Sequence, residues 1–110
     1  MVTVFEVGQW MVKPEKQEEY TKWLKKILKH MKNNPKMFKE IKSYKIFTQT
    51  FGGISGAYVE LVEFDSLADY ERSDKRMQKD EALVKMIKEF MLLVEPTTLS
   101  SNLWTFVMQL

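Results

Sequence analysis

The chain has 110 residues, with 17 Lys and Arg against 15 Asp and Glu for a formal charge of +2, and it contains no Cys. That length fits a single domain over residues 1–110, large enough for a core and small enough that a second chain could usefully bury what is left exposed. The near-balanced charge argues against nucleic acid as a partner. The missing Cys excludes disulfides, thiolate chemistry and Cys-ligated metal sites, and it suits a reducing cytoplasm.

In chain order, Val2 to Val12 reads as a strand whose two alternating sets, Phe5, Val7, Gln9, Met11 and Val4, Glu6, Gly8, Trp10, both carry large apolar groups, so both faces should be covered. Glu6 and Gln9 interrupt the run, which also lacks a basic head, so a strand is a better reading than a signal peptide. Pro14 suits the first turn of a helix reaching about Asn33. Tyr20, Trp23, Leu24, Ile27, Leu28 and Met31 supply its apolar stripe. The Asn33-Asn34-Pro35 segment then ends it.

Ile41 to Phe51 predicts a more polar edge strand, and the glycines at 52, 53 and 56 predict a hairpin leading into a third strand, Tyr58 to Phe64. Ser66, with Asp69 three residues on, predicts the cap of a short helix from Leu67 toward Arg76. A second helix over roughly Lys79 to Val94 should bury Leu83, Met86, Ile87, Phe90, Met91 and Val94, leaving Leu92 and Leu93 off its stripe. Leu103 to Leu110 closes the chain as a fourth strand. No segment reaches the roughly 18 apolar residues that a membrane span requires.

The order β-α-β-β-α-β predicts an α+β, ferredoxin-like domain, a four-stranded antiparallel sheet in the order 4-1-3-2 with its helices on one face. The strand pattern then places Ala57, Val59 and Leu61 against the helices. Trp10, Tyr58, Glu60, Val62 and Phe64, with either Trp104 or Phe106, go to the opposite face. So large an uncovered apolar face predicts a homodimer, sheet against sheet, enclosing a barrel-like interior.

This pattern resembles the dimeric α+β barrel superfamily, which includes antibiotic-biosynthesis-type and haem-degrading monooxygenases and NIPSNAP-like proteins. The resemblance covers the whole chain and is carried best by VKPEKQEEY at 12–20 and FDSLADYERSDKRM at 64–77. Monooxygenases of this kind typically have an Asn on the first strand, a Trp after strand three and, where haem is bound, a His on the last helix. Here Gln9 is the nearest amide, Tyr70 stands near the place of the Trp, and the second helix has no His. The resemblance therefore implies a fold and a dimer rather than a reaction, and it implies no cofactor.

Glu6 and Glu60 lie inside apolar strands that should be neighbours. Burial and mutual repulsion would raise both carboxyl groups, which is how a base is made at neutral pH. Pairing with Lys or Arg, or an outlet to solvent, would make them merely structural. Glu60 and Tyr58 are the candidate catalytic residues, and Glu6, Trp10, Tyr70 and His30 the candidate ligand-binding ones. His30, the only His, is a candidate base, or else a helix histidine favouring the C-terminal end. One His and no Cys argue against a metal site, and the Lys-rich first helix reads as a solvated face, so neither nucleic acid nor membrane is an expected partner. Two function classes follow. One is a homodimer binding a small apolar or aromatic molecule, in the manner of a cofactor-independent oxygenase or an isomerase. The other is a noncatalytic dimerisation or binding module with a side-chain-filled barrel.

Overall fold

A computed structural model describes residues 2–109. Its strands are β1 (Val4–Trp10), β2 (Ile41–Thr48), β3 (Tyr58–Phe64) and β4 (Ser100–Thr105). Its helices are α1 (Gln17–Asn33), α2 (Leu67–Met77) and α3 (Glu81–Met91). The sheet runs β2-β3-β1-β4, every neighbouring pair antiparallel, which is the expected order with β2 and β4 at the edges.

Local chemistry sets the element ends. A 3-10 turn at Pro14–Lys16 leads into α1, and the Ser66 hydroxyl accepts the Asp69 amide hydrogen at 3.1 Å to cap α2. Asp69 does not complete a capping box, because its carboxylate is taken by Arg72 on the next turn. Asp80 caps α3, accepting from the Ala82 and Leu83 amides. At the β2–β3 connection the Gln49 amide donates to the Ala57 carbonyl and the Gly56 amide to the Gln49 carbonyl, both at 2.7 Å, with Gly56 at φ 85°, where a side chain would be strained.

The main core lies between the sheet and α1 and α3. Trp10, Tyr20, Trp23, Ile27, Leu83, Met86 and Phe90 are all buried there. Trp10 meets Phe90 edge-on at 5.0 Å, and Trp23 packs on the same ring at 4.9 Å. Each indole nitrogen in this core finds an acceptor, Trp10 Nε1 donating to the Tyr20 hydroxyl at 3.1 Å and Trp23 Nε1 to the Met86 carbonyl at 2.8 Å. A smaller cluster of Val4, Val62 and Phe64 lies under Tyr70 of α2. An isolated bridge between Val12 and Val94 ties the end of α3 to the end of β1.

Four expectations are corrected. Trp10, Tyr58, Val62 and Phe64 face the helices with Glu6 and Glu60, so the two faces of the sheet are exchanged relative to the sequence reading. Both sets of β1 and β3 are apolar, so alternation alone gave no sign; the choice is made by Tyr20 and Phe90, which supply partners only a helix-facing Trp10 can use. The opposite face carries Phe5, Val7, Val59, Leu61, Phe47 and Trp104, with Phe47 48% and Trp104 56% exposed. The last strand is Ser100–Thr105, starting three residues before the expected Leu103 and leaving residues 106–109 outside it; Leu110, the expected end, lies outside the described residues. Along the helices, Leu28, Ile87 and Met91 are substantially exposed, whereas Leu93 is buried and Leu92 is not. The helix ends at Met91, and the following turn carries Leu93 back toward the sheet.

Tyr20→Phe should strand the buried Trp10 N–H and destabilise the fold by about 1–3 kcal/mol. Urea unfolding measures this, and a variant indistinguishable from the parent would show that the bond fixes nothing.

Candidate functional site

The register brings Glu6 and Glu60 to adjacent strands on the helix-facing side. Glu6 lies opposite Val62, and Glu60 opposite Gly8, one alternation further along β1. Gly8 makes room for both its neighbours. A Cβ there would come within 3.0 Å of the Trp10 ring and 3.5 Å of Glu60 Oε1. From β2, opposite Val62, the Tyr44 hydroxyl donates to Glu60 Oε2. Tyr58, two residues before Glu60, lies against Tyr20 with ring centroids 4.7 Å apart. Tyr70 of α2 closes the other end edge-on to Phe64 at 5.4 Å. Thus five of the six predicted site residues, Glu6, Trp10, Tyr58, Glu60 and Tyr70, share one side of the sheet. Glu6, Tyr58, Glu60 and Tyr70 remain partly accessible, so solvent reaches the edge of a largely desolvated group.

Electrostatics set this group apart. Burial, reinforced by the charge of Glu60, a hydrogen bond between the two side chains and the charge of Asp74, pushes Glu6 up to about 7. Burial also raises Glu60, opposed by hydrogen bonds from Tyr44 and Glu6. The pair therefore tends to share a proton, Glu6 as the acid and Glu60 as the carboxylate. Tyr20, Tyr44 and Tyr70 are raised as well, chiefly by burial, and stay neutral. Among the described residues no Lys, Arg or His forms an ion pair with either carboxylate. That arrangement can hold a proton near neutral pH and pass it to or from a molecule lying over Gly8.

His30 does not join them. Its Nε2 meets Asp80 Oδ2 at 2.7 Å, joining the end of α1 to the cap of α3, with the ring edge-on to Phe38. Burial would raise Asp80, but the His30 hydrogen bond and the capped amides outweigh it and lower it. The expectation that His30 lines the site is corrected: its partner sits 50 residues away in sequence and could not be seen from spacing. A cleft of about 560 Å³ opens between α1 and the end of α3 over Trp23, Leu92 and Leu93. Its rim is the exposed Lys26–Glu89 pair at 3.0 Å, which offers no desolvated reactive group, so the chemistry points to the carboxyl pair instead.

Sequence reasoning missed Tyr44, Ser73 and Asp74. Tyr44 alternates with Ile46 on β2 and could have been placed beside Glu60 once the strand order was known. Ser73, fully buried with its hydroxyl unpartnered, follows Tyr70 by one turn of α2, and its neighbour Asp74 acts on Glu6. No group of three or more His, Cys, Asp or Glu is arranged to hold a metal among the described residues, and no helix there is long and apolar enough to cross a membrane.

Glu6→Gln should weaken the pH dependence of stability. A carboxyl raised on folding contributes fully below its unfolded value near 4.5, and that contribution is lost as pH rises through about 7. The parent should therefore lose stability across that window by more than the variant does in parallel denaturant titrations; equal slopes would contradict the raised Glu6.

No family model matches the chain, and no curated protein matches it in sequence. Solved structures do. A NIPSNAP family protein from Agrobacterium tumefaciens superposes with TM-score 0.67 at 16% identity, covering 96% of this chain and 91% of its own. A dimeric protein of unknown function with a ferredoxin-like fold, from Bacteroides fragilis, gives 0.63 at 14%, covering 94% and 96%. An antibiotic biosynthesis monooxygenase gives 0.62 at 11%, covering 96% and 98%. These are the groups that the sequence resembles, and what the chain shares with them is the ferredoxin-like α+β fold.

Proposed function

We propose that the protein is a cytoplasmic homodimer that binds a small apolar or aromatic molecule over Gly8 and moves a proton on it with Glu6 and Glu60. The observation that carries this is a partly accessible carboxyl pair on the helix-facing side of the sheet, with no basic partner among the described residues and with Tyr44 fixed on Glu60. Glu60, held as the carboxylate, takes a proton from an acidic C–H or O–H of the bound molecule. Glu6, held as the acid, returns one. Tyr58 and Tyr70 present the ring surfaces that an apolar body packs against. Removing a proton to make an electron-rich enolate is the first step that either an isomerase or a cofactor-independent oxygenase needs.

Dimerisation rests on the other face, where Phe5, Phe47, Val59, Leu61 and Trp104 form an apolar surface that no helix covers among the described residues. A second copy laid sheet to sheet removes it from water, and the B. fragilis neighbour is described as dimeric. Light scattering at micromolar concentration should give a mass twice that of one chain. Trp104→Glu, at a site 56% exposed in one chain, should halve that mass without unfolding the protein. A monomeric parent would remove the sheet-to-sheet pairing.

For the site, saturation-transfer NMR with 2-naphthol should detect binding to the parent and to Glu71→Gln on the exposed side of α2. Glu60→Gln should lose roughly tenfold in affinity. Binding that is identical in all three proteins would favour a noncatalytic module whose interior is filled by its own rings.

A further inference from the structure

We propose that the molecule held at Glu6 and Glu60 is an organic cation, an amine carried on an apolar or aromatic body. This rests on the reading of that carboxyl pair as a ligand site, and it goes further by assigning the ligand's charge. The groups whose charges act on Glu6 are Glu60 and Asp74, both of its own sign. The basic side chains of the described ion pairs are engaged elsewhere, Lys26 with Glu89, Arg76 with Glu40, His30 with Asp80. An anionic ligand would add like charge to a poorly solvated site. A neutral one would leave the existing charge unanswered, whereas an ammonium group answers it at short range.

Two independent features fit the same chemistry. Tyr58 and Tyr70 are partly accessible residues on the same side as the pair, and aromatic rings attract cations. Ser73 is fully buried with its hydroxyl unpartnered, which is costly unless something reaches it. It lies on the α2 face that carries Tyr70 and Met77 inward, next to Asp74, whose charge acts on Glu6, and an ammonium carried in past the carboxylates would find an acceptor in it.

The test is a charge series matched in ring and chain, phenethylamine, phenethyl alcohol and 3-phenylpropionate, titrated by isothermal calorimetry into the full chain and into Glu60→Gln and Ser73→Ala. The amine should bind roughly tenfold tighter than the alcohol, and the acid weakest of the three. Glu60→Gln should erase the preference for the amine. Ser73→Ala removes a hydroxyl that has no partner, so its melting temperature should hold or rise while amine affinity falls about threefold. An alcohol that binds as well as the amine in a Glu60-dependent way would overturn the cation assignment and leave the ligand site standing. An amine preference that survives Glu60→Gln would place the cation elsewhere and overturn it too. Absence of binding by all three probes would take away the site reading itself.

Discussion

The hydrogen bond from Trp10 to Tyr20 decides which way the sheet faces. Both faces of β1 and β3 are apolar enough to be buried, so hydrophobicity alone leaves two solutions. A buried indole N–H needs an acceptor, and α1 supplies one only if Trp10 turns toward the helices. Once that is fixed, strict alternation carries Glu6 and Gly8 to the same side, and the β1–β3 register brings Tyr58, Glu60, Val62 and Phe64 with them. The site follows from the core. The outer face, with Phe47 and Trp104 exposed, follows from the same choice.

Placing two carboxyl groups on neighbouring strands beside a tyrosine-rich wall costs stability, and no basic residue of the described ion pairs offsets it. The fold manages the cost in part by letting the pair share a proton and in part by donating the Tyr44 hydroxyl to Glu60. Structural carboxylates elsewhere in the chain are treated differently. Glu40 takes Arg76 and is lowered, Asp80 takes His30 and two helix amides, and Asp69 takes Arg72. That contrast separates Glu6 and Glu60 from ordinary ion-pair chemistry, and it is the pattern that functional sites favour.

The element order, the strand order and the centres of the apolar helix faces, though not their borders at Leu28, Ile87 and Met91, were legible in the sequence, because they rest on periodicity and on short-range punctuation such as Pro14, Asn34-Pro35, Ser66 and the hairpin glycines. The pairing of Glu6 with Glu60 was legible too, once strands one and three were made neighbours. What alternation could not supply was the facing of a doubly apolar strand, which depends on a polar contact between residues on different elements. For the same reason the sequence groups His30 with the site. Its partner Asp80 is brought to it by the packing of α3 on α1, and nothing in local spacing marks that contact. Ser73 was invisible for a related reason, since an unpartnered hydroxyl is a property of the packed interior rather than of a motif.

Glu6 is where sheet facing, desolvation and the neighbouring carboxylate meet, so its titration tests the account most directly. With glutamate carboxyl carbons labelled, carbon-13 NMR should show Glu6 titrating near 7 in the parent and moving part of the way back toward 4.5 when Glu60 is replaced by Gln. A Glu6 that titrates near 4.5 in the parent, or that ignores the replacement, would mean that the two carboxyl groups do not share a buried site.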